Sequence, residues 1–343
     1  MSKDLLKGIV FVAIFAVIAT LIAKIPAIKA LGFSPLVIGI VLGIIFSNTM
    51  HHKIPESFHP GITFSAKKIL RFAIVVYGFR ITFGEIADVG LEGFLVSLIM
   101  LSTTLIIGSI AGQKLFKMDR DTSILTGAGG AICGAAAVLA TEPVLKAKEE
   151  SVAIAVSMVV LFGTISMFLY PVMYEGFIKD AVGFLHMTPK EFGLYVGGTI
   201  HEVAQVVAVP ASIPNAPESM AHTAVIVKMT RVILIAPTLI VLGIVLSMLS
   251  KGEGKGKTKL VIPWFAVYFI LVALFNSFHL LPQNVVSVIN SIDTFLLTMA
   301  MTALGIGTHF KKFKGFGLAP LYTALTMYVW LVVGGFIIVK LVA

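Results

Sequence analysis

The sequence predicts an all-α integral membrane protein of about 11 transmembrane helices, an extra N-terminal helix plus a 5+5 inverted repeat with glycine-broken helices. Three observations predict it. Hydrophobic residues make up 58% of the 343 and charged residues 13%, with a mean hydropathy of +1.01, whereas a soluble domain carries about 45–50% apolar and 25% charged residues. Apolar runs of helical length recur along the whole chain. Two glycine-rich stretches, 129–134 (GGAICG) and 197–202 (GGTIHE), interrupt segments otherwise apolar enough to cross lipid. Backbone loosened at membrane depth survives only where it packs in protein or lines a cavity, and transporters build their sites at such breaks.

In order, the apolar runs cover 9–23, 34–50, 69–84, 92–113, 122–141, 151–174, 191–211, 222–249, 260–281, 285–310 and 318–342. Spanning takes about 20 mainly apolar residues, so the short first run and the interrupted seventh are candidates for re-entrant segments. The first run follows Lys3 and Lys7 as a signal peptide would. It meets Lys24, Ile25 and Pro26 without a small-x-small exit, and is expected to remain as an uncleaved anchor. With the N-terminus inside, eighteen Lys and Arg fall in the cytoplasmic loops and five on the opposite side. That bias predicts a cytoplasmic N-terminus, an external C-terminus and an odd number of spans.

Setting the first helix and its connection (1–33) aside leaves two blocks of five. Residues 34–174 form the first repeat, 175–190 a connecting loop, and 191–343 the second repeat, with a flexible cytoplasmic linker at 250–259 (SKGEGKGKTK). Five is odd, so the second block enters the membrane from the other side, and the fourth helix of each block carries a glycine interruption, at 127–134 and 305–307. A second likeness links 129–140 (GGAICGAAAVLA) and 197–208 (GGTIHEVAQVVA), which agree at six of twelve positions. These segments are not equivalent in the two blocks, and shared packing demands on small residues account for the match.

The net charge of +9 would suggest nucleic acid in a soluble protein, but here the basic residues sit in short loops where they set orientation. Nucleic acid is therefore not an expected partner. One cysteine, Cys133, permits no intrachain disulfide.

Ionisable residues within membrane segments are costly and point to function. His201 and Glu202 are the sharpest case, with Gln205 on the His201 face of a helix. Together they suit exchange of a coupling proton, cation binding, or hydrogen bonding to an oxyanion. The string 201–205 also approaches the metalloprotease pattern, but Gln205 stands where the second zinc ligand belongs, so neither a metal nor an enzymatic role is expected. Lys228 and Arg231 share one helix face and would either attract an anion or, as basic residues near a helix end more often do, snorkel to the interface. Arg80, ending the third run, reads the same way, with its position favouring the interface. Gly129, Gly130 and Gly134 would free N–H groups at a half-helix N-terminus for an anion. Cys133 reads as a packing residue, since no basic residue adjoins it in sequence. His309, beside Lys311 and Lys312, is expected to face the cytoplasm. An intramembrane hydrolase and a non-transporting sensor are the alternatives to a transporter.

At these motifs the chain resembles the YeiH-type family of bacterial inner-membrane proteins, described as sulfate exporters. The residues that carry the resemblance are 132–134 (ICG), Pro143-Val144, 200–208 (IHEVAQVVA), Lys228-Met229 with Arg231-Val232, 263–265 (PWF), and Ala303-Leu304-Gly305 with Thr308. It departs at Ala136, where a serine is expected, and at Pro210, where a glycine is. The first departure removes a hydroxyl from any anion site. The resemblance implies an inner-membrane secondary transporter with an inverted-repeat fold similar to the bile-acid and arsenite transporters. The expected binding set is Gly129, Gly130, Cys133, Gly134, His201, Gln205, Lys228, Arg231, Gly305 and Thr308, with His201 and Glu202 coupling. The expected partners are a small anionic substrate such as sulfate, a coupling proton or Na+, the lipid bilayer and, as an open alternative, a second copy of the chain. No cofactor is expected.

Overall fold

The structure, a computed structural model, describes residues 3–25, 28, 34–50, 54–249, 264–308 and 317–343. Among these, all regular structure is helical, as it must be where water is absent and each segment satisfies its own backbone groups. In chain order the helices are α1 (Lys3–Ala23), α2 (Pro35–Met50), α3 (59–77), α4 (Phe83–Leu115), α5 (Arg120–Ala131), α6 (Ala135–Leu145) and α7 (Glu150–Ile178). They continue with α8 (Pro189–Thr199), α9 (Val203–Ala211), α10 (Glu218–Leu246), α11 (Trp264–Ser277), α12 (Gln283–Gly307) and α13 (Leu318–Val342). Six of them, α1, α4, α7, α10, α12 and α13, are long and apolar enough to cross a membrane, and shorter apolar helices accompany them. The chain is a multi-pass helical membrane protein. The expected linker at 250–259 and the expected cytoplasmic His309 lie outside the described residues.

Two of the expected runs, 122–141 and 191–211, are each two helices with a break between them. Across 305–307, where a third break is expected, the described residues are helical. Helix α12 runs unbroken to Gly307, with Thr308 as its C-cap. A β-carbon on Gly305 would lie 2.3 Å from the Ile40 carbonyl oxygen, and one on Gly43 would lie 2.4 Å from that of Thr302. These glycines let α2 and α12 cross at backbone contact, the common use of small residues between membrane helices.

The chain divides into two compact units. The first comprises residues 1–88, 207–222 and 265–312, and its apolar core joins Val12 and Ala16 of α1, Ile62 of α3, and Met299, Ala303 and Ile306 of α12. The second comprises 89–206, 223–264 and 313–343. Its core holds Leu125, Val138 and Ala155 in one cluster, and Met158, Phe162, Ala324 and Met327 in another. Each unit thus draws helices from both halves of the sequence.

Candidate functional site: two helix breaks bridged by buried cations

Within the second unit, α5/α6 and α8/α9 are interrupted at matching points. Both first halves have strong starts. Asp119 caps α5, its side chain accepting from Thr122 N–H at 2.9 Å. Burial alone would raise the Asp119 pKa, but the hydrogen bonds from Thr122 prevail and hold it below the ordinary aspartate value. Thr188 caps α8 in a reciprocal capping box with Glu191, followed by Pro189.

Helix α5 stops at Ala131. Ile132 leaves helical geometry (φ −115°, ψ −87°), and Gly134 turns the chain at φ 78° before α6 begins at Ala135. A residue with a side chain would be strained there. Helix α8 stops at Thr199, and Ile200 is extended (φ −73°, ψ 145°) before α9 begins at Val203. The two breaks coincide with the six-of-twelve likeness, so Ile132 corresponds to Ile200, Cys133 to His201 and Gly134 to Glu202. That likeness therefore marks a real structural correspondence, although the sequence reading attributed it to common packing demands.

A broken helix leaves carbonyls at the end of its first half without amide partners, and with partial negative charge. Helix α10 answers both sets. Lys228 Nζ donates to Ile132 O at 2.7 Å and to Ile200 O at 2.6 Å. Arg231 donates through Nε to Ala131 O at 3.1 Å, through Nη1 to Gly198 O, and through Nη2 to Ala131 O and Gly130 O. Both side chains are 0% exposed. Snorkelling to the interface, the commoner fate of such residues, does not occur. Their three-residue spacing brings two cations to the same pair of helix ends. Close approach is aided by Gly197, where a β-carbon would stand 2.4 Å from Ala224 O of α10.

The second halves begin with amide groups that lack intrahelical partners, and here the acidic group appears. The Glu202 side chain lies against Gly134, whose β-carbon would be 2.6 Å from Glu202 Cγ and 3.1 Å from Oε1, and it interacts with the backbone N–H of Ala135. An anionic group is favoured at a helix N-terminus. Glu202 Oε2 is buried without a hydrogen-bond partner, as are His201 Nδ1 and Gln205 Nε2. The Gln205 Oε1 atom accepts from Glu202 N–H at 3.2 Å. His201 Nε2 stands 3.8 Å from where a Gly130 β-carbon would be. Cys133 is buried in the first break.

Of the residues singled out in the sequence, Gly129, Gly130, Cys133, Gly134, His201, Glu202, Gln205, Lys228 and Arg231 thus gather in this one unit. Gly305 and Thr308 belong to the other unit, where the Thr308 carbonyl accepts from Asn48 Nδ2 at 2.9 Å. Sequence reasoning missed several supporting residues. Gly163 of α7 makes room for Gln205, whose Oε1 lies 2.3 Å from a would-be β-carbon. Tyr170 donates to Thr199 Oγ1 at 2.9 Å beside the second break. It also missed Asp293, an acid in an apolar run, which the cost of burying charge should have flagged. In the first unit, Asp293 Oδ2 accepts from Arg80 Nε at 3.2 Å. There, too, His222 Nδ1 lies 2.6 Å from Glu85 Oε1. Among the described residues no cluster of three His, Cys, Asp or Glu side chains has metal-site geometry.

A family model described as Conserved hypothetical protein 698 matches residues 7–324. A UPF0324 membrane protein of Pseudomonas putida is 47% identical over 335 residues, 97% of this chain and 92% of its own. The UPF0324 inner membrane protein YeiH of Escherichia coli strain K12 is 46% identical over 330 residues, 96% of this chain and 92% of its own. A UPF0324 membrane protein of Bordetella pertussis is 47% identical over 341 residues, 99% of this chain and 95% of its own.

Proposed function

The chain belongs to the family described as conserved hypothetical protein 698, the UPF0324 membrane proteins, and from that premise we propose that it is a secondary transporter moving a small anion by alternating access. The observation that carries this reading is the pair of matched helix breaks, their carbonyl ends served by Lys228 and Arg231 and the amide end of α6 by Glu202. Paired discontinuous helices are how transporters expose backbone charge to solutes and coupling ions.

The roles divide by what each side chain has left to give. Lys228 and Arg231 spend their donors on carbonyls and hold the breaks open. Glu202, with a buried oxygen lacking a partner, is the group that takes and releases the coupling proton or cation, and His201 is its neighbour in that exchange. In this reading the anion is held at the N-terminal end of α9, which begins at Val203. The excess of basic residues in alternate loops puts the N-terminus in the cytoplasm.

Radiolabelled sulfate flux into proteoliposomes under imposed proton and sodium gradients tests the reading, with wild type compared against Glu202→Gln. Gradient-driven flux in wild type that the variant loses, with the variant still folded, supports coupled transport through Glu202. Coupling unchanged in the variant removes Glu202 from the mechanism, and absence of flux under both gradients removes sulfate as substrate.

A further inference from the structure

Where two spanning helices are interrupted, the carbonyl ends of the half-helices and the unwound backbone oxygens around them are the groups with which transporters coordinate sodium. Here those oxygens converge on an ammonium. Ile132 O and Ile200 O come from different breaks, yet they lie 2.7 and 2.6 Å from one atom, Lys228 Nζ. The carbonyls of Gly130, Ala131 and Gly198 are taken by the Arg231 guanidinium. The oxygens that a hard cation needs are thus already committed to two side chains of α10.

The charges at the site act in the same direction. Lys228 and Arg231 are 0% exposed, and Glu202 is the one acidic residue of either break. Two buried positive charges therefore stand against one negative charge. A third cation brought among them would be repelled far more strongly than at a wet surface, because little water is present to screen it. Replacing Lys228 by a neutral residue balances Arg231 against Glu202 and releases two carbonyls that point at one place.

We infer that the Lys228 ammonium is a tethered substitute for sodium: it fills the cation position between the two breaks, excludes Na+ from it, and makes Lys228 the residue that sets ion specificity. Taken with the transport reading, on which this last step rests, it leaves the proton as the ion exchanged at Glu202.

Lys228→Met tests the inference, because a methionine methyl ends where the lysine Cε does and the substitution deletes little more than the ammonium. The purified full-length protein is melted in sodium chloride and in N-methylglucamine chloride at equal ionic strength, and binding of radiolabelled sodium is measured alongside. Wild type should melt at the same temperature in both salts. Lys228→Met should melt lower than wild type in N-methylglucamine chloride and recover most of that loss in sodium chloride, since a ligand stabilises the state that binds it. Its affinity for sodium should exceed that of wild type by about tenfold or more, and Lys228→Gln, also neutral, should behave alike. Sodium binding by wild type as tight as that of the variants overturns the inference. So does equal melting of both variants in the two salts, or failure of both to fold when prepared in sodium, where the ion should replace the ammonium. None of these readings uses flux. Absence of gradient-driven flux removes the transport reading and leaves sodium exclusion standing, whereas sodium binding by wild type leaves transport standing with Na+ as its coupling ion.

Discussion

The two helix breaks of the second unit are alike in scaffold and unlike in chemistry. Both follow a Gly-Gly pair, both place an isoleucine carbonyl on Lys228, and both yield carbonyls to Arg231. At the next two positions one break has Cys133-Gly134 and the other has His201-Glu202. The first turns on a glycine at positive φ, while the second stays extended and uses the room that glycine leaves to seat the Glu202 side chain. Shared residues thus build the interruption, and the differing ones equip it. A break on its own is architecture. The titratable pair makes one of the two a candidate for coupling.

Substitutions that treat the breaks together should have the largest effect. Arg231→Met strands carbonyls of both first halves, at about 1–3 kcal/mol for each buried group left unpaired. The detergent-solubilised variant should therefore melt far below wild type or fail to accumulate. A variant as stable as wild type would show that these bonds do not hold the breaks. Lys228→Met, which strands Ile132 O and Ile200 O, should lower the melting temperature as well, though by less than Arg231→Met.

The next test separates the breaks. Gly134→Ala forces a side chain into left-handed geometry, costing about 1–2 kcal/mol, and brings a β-carbon 2.6 Å from Glu202 Cγ. It should therefore cost stability and disturb Glu202 together. Glu202→Gln at the corresponding position should leave the melting temperature nearly unchanged while abolishing gradient-driven flux. Equal stability losses in the two variants would dissolve the distinction between scaffold and equipment.

The smallest effects belong to the helix starts. Asp119→Ala and Thr188→Ala should each cost about 1 kcal/mol, measured by thermal unfolding. The effect of Asp119→Ala should depend on acid pH. The folded pKa of Asp119 is lowered, so its contribution is complete above the unfolded aspartate value and disappears as pH falls through the folded one. A constant difference between wild type and Asp119→Ala across that range would contradict the capping assignment.

The sequence by itself determined the membrane class, the helical architecture and the family. Lipid offers no partners for backbone groups, so composition and run length leave little choice. It also marked both breaks, since Gly129-Gly130 and Gly197-Gly198 stand out against apolar runs. It misplaced a third at Gly305, because a glycine that loosens a helix and one that lets two helices touch look the same in one dimension, and only the neighbour, Ile40, tells them apart. The correspondence of 129–140 with 197–208 was visible as six matching letters, yet its meaning lay in Lys228 reaching both isoleucine carbonyls. Whether a basic residue in an apolar run snorkels or turns inward depends on which acceptors lie within reach, and those acceptors come from segments 28 and 96 residues away for Lys228 alone. Tertiary structure decided the partners of Lys228, Arg231 and Arg80, because the energy of a buried charge is set by the groups packed around it.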